Sequence, residues 1–226
     1  MKHIARLIAL AALTASSAHI STAHAGFFIP SDVWMVMTTY TPTEINTDLA
    51  YGFNRTTSGS IGFTRVKEAA ADTPSGNAWR NLITLQGVYL VKRVPTEEGI
   101  GNAYVFGGPI VEKREQGGQQ KLGAAAGIWL DYETRRVYSR LKVHGFKSEG
   151  WRRNEVVGQL MWAPYAADYD DIASWGGVQL KRVSGERQTE VTPYLRFFKK
   201  TWWVDVGVSV NRNNRNDIFI NVMHTF

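Results

Sequence analysis

No cysteine occurs in the 226 residues, which excludes a disulfide framework, a thiolate-ligated metal or iron–sulfur centre and a thiol nucleophile. Histidine is nearly as scarce. Of five histidines, His3, His19 and His24 fall at the extreme N-terminus, and only His144 and His224 follow. Two histidines leave no material for a histidine cluster or a multi-histidine relay. Long hydrophobic runs are missing as well. Beyond Gly26 nothing approaches the roughly 18 residues that a spanning helix needs, and no long window carries the 3.6-residue period of an amphipathic helix.

The N-terminus has the layout of a secretory signal. Lys2 and Arg6 precede the apolar stretch Leu7 to Leu13, and Ala23-His24-Ala25 offers a small-x-small cleavage site before Gly26. The apolar stretch is too short to anchor the chain as a membrane helix. The expectation is therefore a signal over 1–25 and a single mature domain over 26–226, since no linker divides the remainder. Losing Lys2 and Arg6 lowers Lys plus Arg from 26 to 24 against 20 Asp plus Glu, a net +4 where the full chain has +6.

What the chain does contain is alternation. Ile45, Thr47, Leu49, Tyr51 and Phe53 share one face of a strand, opposite Asn46, Asp48, Ala50 and Gly52. The stretch 201–211 repeats this, with Trp202, Val204, Val206, Val208 and Val210 opposite Trp203, Asp205, Gly207, Ser209 and Asn211. The same reading places strands near 32–40, 44–54, 57–66, 78–93, 102–111, 121–132, 137–146, 154–163, 175–183, 190–198, 201–211 and 217–226, separated by Gly, Pro, Asn and Ser breakers. The connection Pro164 to Ser174 is longer than the others on its side, so it is either a true loop or a strand miscounted. Strands averaging about ten residues are long for a sandwich and suit a tilted crossing of a bilayer, where only a closed sheet leaves no unpaired edge. The expected fold is all-β, an antiparallel up-and-down transmembrane barrel of about 12 strands, with a range of about 10 to 14.

The signal segment, the repeated amphipathic strands and a last strand that ends on Phe226 resemble Gram-negative outer-membrane β-barrel proteins. The resemblance covers nearly all of the mature chain, although His224 stands where the family commonly has an aromatic. It implies export to the outer membrane, insertion by the barrel-assembly machinery with Phe226 as terminal signal, contact with outer-membrane lipid and lipopolysaccharide, and a monomer. If the apolar face meets lipid, alternation sends Asp48, Lys92, Asp131, Arg140, Lys142, His144, Glu155, Lys181, Arg196 and Asp205 into the lumen, along with Gln86, Gln159, Gln179 and Asn221. A charge on the lipid face costs about 2 to 4 kcal/mol at the midplane for Arg or Lys, which favours this orientation. A soluble periplasmic sandwich or lipocalin-like barrel that binds a ligand would reverse the faces. Aromatics such as Trp34, Tyr51, Trp129, Tyr138, Trp151, Trp175 and Trp202 fall in or near strand ends, where interfacial girdles sit.

Catalytic chemistry has little to work with. A hydroxyl nucleophile needs a neighbouring base, and the internal candidates are His144 with Ser139 or Ser148. The His-x-Ser signature of outer-membrane lipid hydrolases is absent, because Gly145-Phe146 follows His144. No phosphate-binding glycine loop occurs, the Asp168, Asp170 and Asp171 cluster and the Met35 and Met37 pair are weak metal ligands, and Arg135-Arg136, Arg152-Arg153 and Lys199-Lys200 are isolated pairs without the stripe that nucleic acid requires. The expectation is no catalytic residue, no metal, no cofactor and no nucleic acid. The leading function is a narrow passive channel for small polar or charged solutes. Runners-up are a barrel closed by pairing among its lumen charges, with a structural or surface role, and, less favoured, a lipid-modifying enzyme.

Overall fold

The computed structural model describes residues 29–69, 76–115, 117–168, 170–211 and 216–226. The expected signal segment lies outside them. Twelve strands follow one another: β1 (Trp34–Thr41), β2 (Glu44–Gly52), β3 (Thr57–Ala69), β4 (Asn77–Pro95), β5 (Gly99–Arg114), β6 (Lys121–Thr134), β7 (Val137–Ser148), β8 (Trp151–Trp162), β9 (Ala173–Val183), β10 (Glu190–Lys199), β11 (Trp202–Val208) and β12 (Ile218–Thr225). Each pairs antiparallel with its sequence neighbours, and β1 closes on β12 with Met35 opposite Thr225 and Tyr40 opposite Ile220. Closure gives every strand two partners, so no edge is left to hydrogen-bond with solvent. The connection at 163–172 is a loop, held by Arg136 donating to the carbonyls of Ala163 and Pro164 at 3.0 and 2.9 Å.

Period-two alternation sets the two faces. On β2 Leu49 is exposed and Ala50 buried, and on β11 Trp202, Val206 and Val208 face out while Trp203 and Asp205 are buried. The outer wall is apolar: Ile61, Leu85, Val105, Ile128, Leu160 and Leu195 are all exposed, Leu85 and Leu160 to 57%. The inner wall carries the buried charges, with Glu112, Asp131, Arg153, Glu155, Arg196 and Asp205 each below 10% exposure. This is the reverse of a soluble ligand-binding barrel, whose interior is apolar and whose outside is polar. The periplasmic sandwich reading fails on that reversal.

Five connections, at 53–56, 96–98, 135–136, 163–172 and 200–201, lie at the end where β1 begins and β12 finishes, the near end. The remaining six lie at the far end. The wall is uneven in height, because β4 runs for 19 residues and β11 for seven.

Inside, the near half is filled by apolar side chains. Met35, Ala50, Trp203 and Met223 pack with Ile29; Tyr138, Met161, Trp175, Tyr194 and Phe219 form a second group; Leu90, Tyr104, Phe106 and Trp129 form a third. Trp129, Tyr138 and Trp175 thus point inward and fill the lumen, against the girdle expected for them, and Trp151 packs inward at the far end. Trp34, Tyr89, Trp162, Trp202 and Phe226 remain on the outer face towards the near end. His224 joins them, stacked between Trp202, 4.2 Å away at 18°, and Phe226, 5.6 Å away at 22°. It occupies the aromatic position of the terminal strand as a flat ring.

Candidate functional site: an ion-lined lumen

An interior cavity of about 160 Å³ runs from Thr41, Glu44 and Glu190 towards the far end down to a floor of Trp129, Tyr138, Trp203, Phe219 and Met223. Eight of the ten charged or titratable residues assigned to the lumen by alternation line it: Asp48, Arg140, Lys142, His144, Glu155, Lys181, Arg196 and Asp205. Asp131 also points inward but is buried outside the cavity lining, where it accepts a hydrogen bond from Asn102 Nδ2 at 2.7 Å. Lys92 does not join them. The β4–β5 register runs Leu90 to Tyr104 and then Lys92 to Ala103, so a bulge takes up Val91. The extra residue inverts parity beyond it, which leaves Lys92 exposed and turns Arg93 to the inner face, donating to Asn102 Oδ1 at 2.9 Å.

Three residues of the charged lining were not assigned to it from sequence: Glu44, Arg153 and Glu190. Glu44 shares a face with Asn46 and Asp48, and Arg153 shares one with Glu155, so parity contained the signal. Both stand at strand starts, where 147–153 reads as a connection. Arg153, paired in sequence with exposed Arg152, is 9% exposed and points inward.

The charges form three assemblies. In the first, Arg196 on β10 lies directly opposite Asp205 on β11 and grips it with two hydrogen bonds, Nε to Oδ1 at 2.7 Å and Nη2 to Oδ2 at 3.0 Å. Trp203 Nε1 and Asn221 Nδ2 supply further donors to the same carboxylate at 2.7 and 3.2 Å, and the guanidinium lies 3.5 Å from the Trp203 ring centroid. Burying two charges is repaid only when geometry and remaining hydrogen bonds are this complete. In the second, at the far end, Arg80 binds both Glu68, at 3.0 Å, and Glu112; Ser148 donates to Glu112 at 3.0 Å and Trp151 to Glu68 at 2.6 Å.

The third crosses the lumen. Glu44 Oε2 on β2 accepts from Lys181 Nζ on β9 at 2.6 Å and from Arg153 Nη2 on β8 at 3.2 Å. In a ring of twelve, β2 and β8 are six strands apart in either direction, hence on opposite walls. Arg153 also holds Glu155, whose other oxygen lies 2.9 Å from His144 Nε2. Long side chains from facing walls therefore meet across the lumen at this level.

Gly62 and Gly127 open space along the inner wall. A Cβ at Gly62 would run into the Asp48 carboxylate and the Thr84 hydroxyl, and one at Gly127 would collide with the Phe106 ring. Their absence lets Asp48 and Phe106 reach across the strand beside them.

No family model matches the sequence, and no curated protein is similar enough to count as a relative. Among solved structures the chain is similar to a KdgM porin, with TM-score 0.49 and 9% identity over 86% of this chain and 98% of that one. It is similar also to the KdgM porin in complex with disordered oligogalacturonate, with TM-score 0.49 and 11% identity over 86% and 99%. This is a closed all-β barrel with an apolar outer face and charges buried inside.

Proposed function

We propose that the barrel sits in the outer membrane and acts as a narrow, gated passive channel for small polar or charged solutes. The carrying observation is the cross-lumen bridge from Glu44 to Lys181 and Arg153 above a cavity lined by both signs of charge, inside a wall whose outer face is apolar. An apolar exterior suits lipid, and a polar interior suits water and ions. Arg153 and Lys181 each also lie within ion-pair distance of Glu155, so they can let go of Glu44 without being left unpaired, which makes this bridge a plug that can open. Lipid, lipopolysaccharide and the barrel-assembly machinery are the partners that fit this placement, with Phe226 at the closing strand as the terminal signal.

Planar-bilayer recording tests the proposal. Discrete conductance steps are expected, larger in Glu44→Gln than in the wild type, with ion preference shifted by Lys142→Glu. A second reading, a permanently closed barrel with a structural or surface role, is favoured by the near-half packing, where Met35, Tyr104, Tyr138 and Met161 are each at most 2% exposed. It predicts no steps in either protein. Hydrolase activity on phospholipid or lipid A that vanished in His144→Ala would favour an enzyme; in the structure that histidine is engaged by Glu155.

A further inference from the structure

Most charges in the cavity are matched at bonding distance; among the described residues Asp48, Glu190, Arg140 and Lys142 are not, and Asp48 stands across the lumen from Lys142 and Arg140. Arg153, Lys181 and Arg196 each hold a carboxylate within 3.2 Å. Lys142, among the described residues, has no carboxylate within 4.0 Å; its ammonium lies 5.0 Å from the Phe106 ring centroid. Arg140, two residues away on the same face of β7, lies over Trp129 at 5.4 Å and likewise has no carboxylate within that range among the described residues. On the other side, the Asp48 carboxylate accepts from the Asn46 amide at 2.6 Å and has no cation within 4.0 Å among the described residues. Asp48 is on β2 and Lys142 on β7, five strands away around the ring, and both line the same cavity.

The cavity therefore has a polarised cross-section. One wall offers the Asp48 carboxylate among Asn46, Thr64, Thr84 and Gln86; the facing wall offers the Lys142 ammonium and the Arg140 guanidinium. Opposite charges held apart in a poorly screened space attract across the gap without neutralising one another. A simple anion would satisfy Lys142 and Arg140 and be repelled by Asp48, and a simple cation would meet the reverse. A solute that carries both charges satisfies both walls together. About 160 Å³ holds several waters' worth of material, which limits such a solute to a few heavy atoms.

We infer that the lumen contains a binding site for a small zwitterion, its ammonium at Asp48 and its carboxylate at Lys142 and Arg140. This rests on the channel reading for the route by which the solute arrives, while binding itself is measured without transport. Isothermal titration of the detergent-solubilised barrel with glycine, acetate and methylammonium tests it. Glycine is expected to bind saturably and at least tenfold more tightly than either single-charge probe. Asp48→Asn and Lys142→Gln are each expected to weaken glycine at least tenfold, and Asp48→Asn to move the preference towards acetate. Acetate binding as tightly as glycine, glycine indifferent to both substitutions, or no saturable glycine binding would each overturn the site. Heat-modifiable migration on a detergent gel checks that the variants fold. If a charge-removing variant does not, Asp48→Glu and Lys142→Arg must retain the preference for glycine over acetate, and loss of that preference in folded protein overturns the site. Conductance in glycine-free salt separates the two readings: steps without glycine binding remove only the site, and binding without steps removes only the channel.

Discussion

The two halves of the lumen are closed by different physics. Near the termini, Met35, Trp203, Met223, Tyr138, Met161 and Trp175 exclude water by packing, and the charge they enclose, Asp205, is only 1% exposed with its donors all in place. Towards the far end, closure depends on Glu44 reaching across to Lys181 and Arg153, whose side chains stay partly accessible at 11 to 17%. A packed plug resists salt and yields only to loss of volume. An ionic bar is cheap to break and sensitive to screening. The contrast assigns stability to the near half and adjustability to the far half.

The largest effect expected on this contrast is that of Arg196→Ala, which strands a buried carboxylate and costs about 3 to 5 kcal/mol, read as a lower temperature for loss of the folded band in heat-modifiable migration. Met161→Ala, which leaves a cavity in the near half, is expected to cost about 2 to 5 kcal/mol, with little change in salt sensitivity. Glu44→Gln is expected to cost less than Arg196→Ala, because Arg153 and Lys181 keep Glu155 beside them, while raising single-channel conductance several-fold; a large stability loss with unchanged conductance would dissolve the distinction between the halves. The smallest effect belongs to Lys92→Ala, within about 0.5 kcal/mol of wild type and with unaltered ion preference, because the residue faces outward.

Much of this was legible in the sequence, since alternation is local. Residues two apart on a strand share a face whatever the rest of the chain does, so the strand pattern and the inward turn of Asp205, Arg196 and Lys142 follow from the sequence alone. Lys92 escaped because a bulge is a property of pairing: nothing in Leu90-Val91-Lys92 announces that Val91 will have no partner across the β4–β5 ladder. Glu44 and Arg153 escaped because they stand at strand starts, although parity with Asp48 and Glu155 turns both inward; their meeting across the lumen is a different matter. Which wall faces which depends on the closed ring, and a bridge between residues 109 positions apart has no local signature. Trp129, Tyr138 and Trp175 share parity with the inward Asp131, Arg140 and Gln179, so alternation already turns them into the lumen; a position near a strand end does not by itself tell a lipid interface from a lumen plug.

In the bilayer proposed for this barrel, the unequal strands would have a consequence for the lipid. At about 3.3 Å per residue and a tilt near 40°, the seven residues of β11 rise only about 18 Å, short of the roughly 25 Å apolar band of such barrels, whereas the 19 residues of β4 overshoot it. Neighbouring β1 and β12, at eight residues each, are little taller than β11. A bilayer fitted around this wall must pinch beside β11, β12 and β1 and rise beside β4 and β5. The thinnest membrane would then lie against the seam where the first strand meets the last, and lipid packing would be softest where the ring closes.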